Sequence, residues 1–377
     1  MARTVIGVNA PNAVKRYSAA LWLDVSQKAY WGQKFFGKGD RSQMPIQILT
    51  DLESDAGEEV KYDLLMELRM EPIVGDDVLE GKEEPLRFYT DSVYIDQMRC
   101  GVNTGGRMTR KRTLHDLRQK SKLSQGNWWA RFMDELCFIY MSGARGVNEN
   151  FILNKKLAQI MGINPISQPD AEHHFFGKAA TDFSNLAPTD TMSLSAIDRM
   201  ITRAGTQGGG ATDIPVLQPT RWDGGGDENY VLVMHPWQEQ ALRNEAGDNT
   251  WLSWNKALTT AVGNKSPIFS NSLGMYRNVV LHSHRNVIRF NNAGATQDVP
   301  AARALFMGAQ AGVIAFGSPG TGNRIQWYED MDDRGNQVVI TSGSIFGIKK
   351  ATFNINGKKQ DMGVFALDTA AAEPVAV

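Results

Sequence analysis

The chain is 377 residues long and 42% hydrophobic, enough for two domains or one elaborate one around a substantial core. Its 40 basic and 41 acidic side chains leave a net charge of -1, which makes no case for a chain-wide nucleic-acid or membrane partner. Mean hydropathy is −0.33, no apolar run nears the roughly eighteen residues of a membrane span, no signal-like segment is visible, and the two cysteines, Cys100 and Cys137, suit a reducing compartment, so the expectation is a soluble protein of the cytosol.

Residues Met1–Pro11 read as irregular. Asn12 then caps a helix over Ala13–Phe36, which carries Trp22, Tyr30, Trp31, Phe35 and Phe36. Such an aromatic load is spent either on the chain's own core or, as a terminal arm, on a neighbouring subunit. From Val60 to Met70 apolar and charged residues alternate, the mark of a long half-buried strand. The Gly- and carboxylate-rich stretch Pro72–Glu84 follows, and then a second extended run, Leu86–Val102. Together they predict a long hairpin. A free two-stranded hairpin is marginal in water, so this one must lie on its own domain or on another molecule. Gly101–Gly106 is a hinge back to a basic run. Arg107–Lys122 holds seven Lys and Arg against Asp116 alone, whereas carboxylates gather in Asp51–Glu84.

Thr113–Gly143 is predicted to be one helix, a rod of roughly 45 Å at 1.5 Å per residue. Trp128, Phe132, Leu136 and Tyr140 recur every four residues, and Trp129, Met133 and Ile139 widen that stripe. Arg131, Asp134 and Glu135 fall on the side expected to face water. Thr113 is the expected cap, Gly143 the stop, and Gly126 the place for a bend or break, at about 1 kcal/mol. Cys137 sits in the rod as a small apolar residue.

Beyond Gly143 the periodicity fades. Helices are expected over Asn154–Gly162, Ser193–Ala204 (capped by Ser193 or Ser195), from Pro236, and over Trp251–Val262. Asn164–Pro188 reads as loop. Strands are expected at Asp213–Leu217, Tyr230–His235, Val279–Leu281, Val287–Phe290, Val338–Thr341, Phe346–Asn354 and Val364–Asp368. Ala301–Phe316 is small and apolar, and the Ala-rich tail Thr369–Val377 reads as disordered. Helices and strands do not alternate regularly, which argues α+β rather than a doubly wound sheet.

Reactive constellations are incomplete. Gly317–Arg324 (GSPGTGNR) lacks the Lys-Ser/Thr pair of a phosphate loop, and GVNTGGR at Gly101–Arg107 fails the same test. His282 and His284 share a strand face but lack a third ligand at a telling spacing. Ser342-Gly343-Ser344 reads as a turn rather than a nucleophile elbow, and Asp76-Asp77 and Asp332-Asp333 are expected in solvated loops. No enzyme activity, cofactor or metal is expected. A rod, a projecting hairpin and a loose arm suit contacts between copies.

In this order the parts resemble the major capsid protein of tailed bacteriophages with the Hong Kong 97-type fold, and most closely the podovirus subfamily often labelled after phage N-four. The likeness rests on the aromatic arm, on EEVKYDLLMELRMEP and EPLRFYTDSVYIDQMRCGVN as an extended loop, and on HDLRQKSKLSQGNWWARFMDELCFIYMSG as a spine helix. It continues with HHFFG (His173–Gly177), YVLVMHPWQEQALR (Tyr230–Arg243), PIFSNSLGMYRNVVLHS (Pro267–Ser283), ARALFMGAQAGVIAFG (Ala302–Gly317), IFGIKKATFN (Ile345–Asn354) and DMGVFALDTA (Asp361–Ala370). It implies an α+β chain divided into an N-terminal arm (1–43), an extended β-hairpin loop (44–106), a peripheral domain with the spine helix (107–190), an axial domain (191–344), and returning strands of the peripheral domain with the tail (345–377). It further implies self-assembly in the host cytoplasm into an icosahedral shell of pentamers and hexamers around double-stranded DNA, with residence in the virion and no membrane. Portal, scaffold and decoration proteins are further partners the family admits. The arm begins almost at Met1, so no fused scaffold segment is expected. Trp31, Arg69, Asp76, Asp77, Lys82, Glu83 and Arg87 are the candidate intersubunit residues. Two alternatives remain at this point: the shell of a cellular nanocompartment with the same fold, and a nucleotide-binding enzyme.

Overall fold

The computed structural model describes residues 11–39, 42–53, 57–153, 164–178, 180–208, 214–221, 228–245, 272–317, 324–334 and 336–374. The helices expected over Asn154–Gly162 and Trp251–Val262, and residues 318–323 of the GSPGTGNR stretch, lie outside them.

The described residues form six α-helices, two single-turn 3-10 helices (Asp51–Glu53 and Phe183–Asn185) and eighteen strands. Helices α1 (Pro11–Lys28) and α2 (Tyr30–Lys34) precede strands β1 (Phe36–Lys38), β2 (Ile46–Leu49), β3 (Glu59–Leu65), β4 (Phe88–Tyr94) and β5 (Asp96–Asn103). Helices α3 (Arg107–Arg112) and α4 (Leu117–Ser142) follow, then β6 (His174–Phe176), α5 (Leu194–Thr206), β7 (Thr220–Arg221), β8 (Glu228–Met234) and α6 (Pro236–Arg243). The rest is strand: β9 (Ser272–Tyr276), β10 (Val279–Ser283), β11 (Arg289–Ala293), β12 (Val299–Met307), β13 (Gly312–Gly317), β14 (Ile325–Asp332), β15 (Gln337–Lys350), β16 (Thr352–Ile355), β17 (Lys358–Asp361) and β18 (Val364–Ala370). The chain is therefore α+β, as its irregular alternation predicts.

Two sheets carry the fold. One has the order β1-β2-β13-β15-β14, with β5 on the free edge of β15; the other has the order β6-β18-β12-β8-β10-β9, with β11 on β12 and β7 on β8. β15 is a single 14-residue strand where the sequence reads as two short ones, and Ser342-Gly343-Ser344, expected as a turn, runs straight through it, paired with β14 and β5. Its register runs from Gln337 opposite Asp332 of β14 to Lys350 opposite Gly312 of β13. The principal core draws Ile314, Phe316, Trp327 and Phe346 from the first sheet, Val231, Leu305 and Met307 from the second, and the buried half of α4 from between them. A second core lies on the other face of the larger sheet, where Ile197 and Met200 of α5 cover it.

α4 begins three residues later than expected. Asp116, not Thr113, is the cap: its carboxylate accepts from the backbone N–H of Arg118 (3.0 Å) and Gln119 (3.3 Å), and Thr113 instead ends α3 in an extended conformation. Gly143 stops the helix in the left-handed conformation, φ 70°, with its N–H donating to Ile139 O. Gly126 neither bends nor breaks it. A Cβ there would lie 2.5 Å from Asp24 Oδ2 and 3.6 Å from Leu21 Cδ1, so the glycine is what lets α1 lie against α4. Asp134 and Glu135, expected in water, are 7% and 1% exposed. Both are N–H acceptors for other segments. Asp134 takes the N–H groups of Tyr30 (2.9 Å) and Trp31 (3.1 Å), and Glu135 those of Ile152 (2.8 Å) and Leu153 (3.3 Å). Arg131 stays exposed, as expected.

The first helix is broken rather than continuous. Ala29 is extended (ψ 132°), which starts a new helix end at Tyr30 for Asp134 to cap. The expected strand Asp213–Leu217 does not form among residues 214–217. The expected disordered tail starts too early in the chain: Thr369 and Ala370 belong to β18, and Thr369 is fully buried, its hydroxyl 2.7 Å from Gln238 Nε2.

Candidate assembly surface

The hairpin is anchored at home and unanchored at its end. β3 and β4 pair over Glu59–Leu65 and Phe88–Tyr94 in antiparallel register. The predicted strand to Met70 ends at Leu65, and Leu86–Val102 divides at Ile95, after which β5 joins β15. Near its base the hairpin buries Val60 and Val93 against Leu49, Leu52 and Val313. Further out, Met66 packs with Phe353 and Ile355 of β16 and with Met362, just after β17. Lys349 Nζ bonds Ser92 O at 2.9 Å and the Asp91 carboxylate, and Asp91 also accepts from Tyr62 Oη at 2.7 Å. A cleft of about 400 Å³ remains between this base and the sheet, lined by Leu49, Tyr62, Gln310 and Phe353 among others.

Beyond Leu65 no strand pairing continues, although the apolar alternation does. The two arms of the 66–87 loop are tied by Glu84, whose carboxylate accepts from the N–H groups of Arg69 and, at 2.8 Å, Met70. Arg87 Nη2 donates to Glu67 O at 3.0 Å and lies 3.6 Å from Glu84 Oε1. The tip is shaped by Gly75 and Gly81 at φ 72° and 83°, conformations that cost a side chain but not glycine. The loop holds seven carboxylates against three basic residues.

The candidate residues separate on this geometry. Asp76, Asp77, Lys82 and Glu83 are exposed at the tip, while Arg69 and Arg87 are half-buried; the Arg87 guanidinium donates to the loop's own backbone, and the backbone N–H of Arg69 is held by Glu84. Trp31 is a correction. It is 0% exposed, edge-on to Phe138 at 5.0 Å and tilted against Phe35 at 5.3 Å. Its ring is spent on its own chain's core and leaves no surface for a neighbour.

The contact candidates named from the sequence include none of the loop's apolar residues. Leu68, Met70, Val74, Val78, Leu79 and Leu86 are 40% to 78% exposed. Part of the signal lies in the alternation, whose apolar face must be covered by the chain's own domain or by another molecule. An exposed apolar set of this kind marks an interaction surface. The basic run forms a second such strip: α3 and the first turns of α4 expose Lys111, Arg112 and Lys120 together with Met108 (63%) and Leu114 (103%).

The histidines come together with the arm rather than with a metal. His284 lies 4.5 Å from the Tyr30 ring and is stacked on Phe138 at 5.0 Å; His282 is edge-on to Tyr30 at 6.0 Å. Burial, with Arg285 beside it, pulls His284 down to about 4, so it is neutral and its Nδ1 accepts from Asn286 N at 3.2 Å. Among the described residues no group of three His, Cys, Asp or Glu is disposed to hold a metal ion.

The family model described as "Phage capsid protein" matches residues 5–373. The major capsid protein of Pseudomonas phage KPP25 is 25% identical over 383 residues, covering 93% of this chain and 96% of that one. Among solved structures, the capsid of Ralstonia phage GP4 superposes with a TM-score of 0.81 and 44% identity over 100% of both chains. The capsid subunit of cyanophage Pam1 superposes with a TM-score of 0.67 at 21% identity, covering 89% and 91%, and speaks for the fold. With the fold of a capsid subunit and a family match over nearly its whole length, the chain belongs to the phage capsid protein family and is a major capsid protein, a subunit of a phage shell.

Proposed function

We propose that the subunit uses a Hong Kong 97-type arrangement, with α1 and α2 as the arm, the 58–103 hairpin as the extended loop and α4 as the spine helix. The domain division into 1–43, 44–106, 107–190, 191–344 and 345–377 is part of this reading. Its last boundary is shifted to about residue 336, because β15 runs unbroken through 344 and 345. On this reading the subunits close into an icosahedral shell of pentamers and hexamers around double-stranded DNA, assembled in the host cytoplasm. The protein's work is binding and not catalysis. Family membership leaves the nanocompartment and nucleotide-enzyme readings without support.

The observation that carries the proposal is the contrast within one hairpin. Its base is buried in its own chain, whereas further out Leu68, Val74, Val78 and Leu86 and the charged Asp76, Asp77, Lys82 and Glu83 are exposed on that chain. The intersubunit role therefore belongs to Asp76, Asp77, Lys82 and Glu83 at the tip, with Arg69 and Arg87 shaping the loop. Hydrogen exchange before and after assembly tests this. Residues 59–65 are expected to be protected in the free subunit, and 66–87 only in the shell. A loop equally exchangeable in both states would remove its intersubunit role.

A further inference from the structure

We propose that the cavity where α2, α4 and the turn after β10 meet is a binding site for a phosphate group. The hairpin has no part in it.

The cavity holds about 570 Å³ and draws its lining from three segments. Lys28 and Tyr30 flank the joint between α1 and α2, Arg131 and Asp134 come from α4, and His284 and Asn286 bound the turn that follows β10. What this lining leaves unanswered is donors. Tyr30 Oη is buried and has no hydrogen-bond partner among the described residues, and burial, with Asp134 beside it, keeps its proton in place well past the usual tyrosine range. His284 is neutral and accepts at Nδ1, so its one proton is on Nε2. Asn286 gives its Oδ1 to Asn150 Nδ2 at 2.9 Å, and its own amide N–H groups have no partner among the described residues. The Arg285 guanidinium is exposed and makes neither an ion pair nor a hydrogen bond among the described residues.

Charge points the same way. Lys28 and Arg131 stand exposed at the rim, the first paired with Asp24 at 2.8 Å and the second donating to Asn150 O at 3.2 Å. Asp134 is the one carboxylate among the lining residues described. Both its oxygens accept from backbone N–H groups of α2, and burial raises its carboxyl to about 7, so below neutral pH it sets less than a full charge against three cations. Four groups that donate, with an excess of positive charge around them, fit a ligand that is anionic and accepts. A phosphate does both, and its tetrahedral oxygens can meet donors arriving from separate segments. A water would satisfy Tyr30 Oη but leave the Arg285 charge unanswered. The volume also exceeds that of one phosphate, with room for the molecule that carries it. Free phosphate and the backbone of DNA share this chemistry.

The test uses the free full-length subunit at about pH 6, below the Asp134 value. Inorganic phosphate is titrated against sodium chloride of equal ionic strength, and binding is read by calorimetry and by melting temperature. The variants are Arg285→Gln, which removes an exposed and unpaired charge, and Tyr30→Phe, which removes an Oη without a partner and keeps the ring. Neither takes away a contact the fold uses, and far-UV circular dichroism checks folding; Arg285→Gln suffices should the other fail to fold. Phosphate is expected to raise the melting temperature beyond chloride, with affinity lowered about tenfold by Arg285→Gln and about threefold by Tyr30→Phe. A short DNA duplex titrated into the same proteins separates the two sources. Duplex affinity that falls with the variants identifies the DNA backbone, and duplex affinity that stays while phosphate affinity falls identifies free phosphate; either supports the site. If neither phosphate nor duplex distinguishes the variants from the wild type, the inference is overturned.

Discussion

Asp134 shows how a single residue can read as solvent-facing and fold into the core. Its helical phase and its charge both place it on the wet side of α4. It is buried because α2 brings two unpaired N–H groups to it, and a charged acceptor at a helix start is among the stronger hydrogen-bond arrangements. Burial nevertheless outweighs those two bonds and raises its carboxyl to about 7 from an ordinary 3.8. The folded chain therefore keeps a proton that the unfolded chain has released. Its contribution to stability is fully present below about pH 4 and is lost as the pH rises through about 7. Lys28, Arg131, Arg285 and His284 line the same cavity of about 570 Å³, and His284, held near 4, stays neutral over most of that window. Asp134→Asn keeps an acceptor and cannot ionise. Its stability relative to the wild type should rise between pH 5 and 7, by up to about 1.4 kcal/mol per pH unit, and level off above. Urea unfolding of the free subunit at several pH values measures this, and parallel curves for the two proteins would refute it.

At the scale of elements, pattern and partner have to agree before a strand exists. The period-two alternation runs to Met70, yet β3 stops at Leu65: after one more backbone bond, Met66 N–H to Arg87 O at 3.1 Å, the opposing arm offers Arg69 and Met70 a carboxylate, Glu84, in place of a ladder of carbonyls and N–H groups. Gly347 shows the reverse case, a strand residue chosen by what crosses it. A Cβ there would fall 1.8 Å from Tyr94 O and 3.1 Å from Asn164 Nδ2, where the hairpin leaves for the sheet. Asn164 binds that same peptide, donating to Tyr94 O at 2.6 Å and accepting from Tyr94 N at 3.0 Å. Gly347→Ala meets backbone that cannot yield, so a loss of about 3 kcal/mol is expected, at the upper end for overpacking. Faster hydrogen exchange in 88–103 should accompany it. A variant with wild-type melting and exchange would show that the crossing is looser than its geometry.

Across the whole molecule, α4 is tied to both sheets by polar groups as well as by its apolar stripe. Gln125 Nε2 reaches Ile340 O at 2.8 Å and Trp129 Nε1 reaches Ser342 Oγ at 2.7 Å, both on β15. At the other end, Arg303 of β12 donates to Ser142 O at 2.9 Å and grips Asp368 of β18 through two bonds of 2.7 Å. His174 completes the cluster at 2.8 Å from Asp368. Burial alone would raise the Asp368 carboxyl, but the Arg303 charge and these bonds outweigh it and hold it below the usual range. Removing one partner of a buried ion pair leaves the other charge uncompensated, typically at 3–5 kcal/mol. Asp368→Asn should therefore destabilise the subunit by about that amount and lower its yield of soluble protein. Unfolding within about 1 kcal/mol of the wild type would mean that the cluster is not the clasp it looks like.

By itself the sequence determined the α+β class, the long amphipathic helix with its glycine stop, the Ser193-capped helix and the presence of a hairpin. These follow from periodicity and from caps, which are local. The ordered parts also carried the resemblance to a capsid protein. Only the tertiary structure decided where α4 begins, that Gly126 is a crossing and not a break, that Asp134 and Glu135 are buried acceptors, that Trp31 belongs to its own core, and where the hairpin passes from anchored strand to exposed loop. Apart from the start of α4, which the local Asp116 cap sets, each of these depends on a group further away in sequence: Asp24, the Tyr30 N–H, the Leu153 N–H, Phe138 or Glu84. A residue's spacing states which face it shares with its neighbours, whereas burial and hydrogen bonding depend on what the rest of the chain lays against that face.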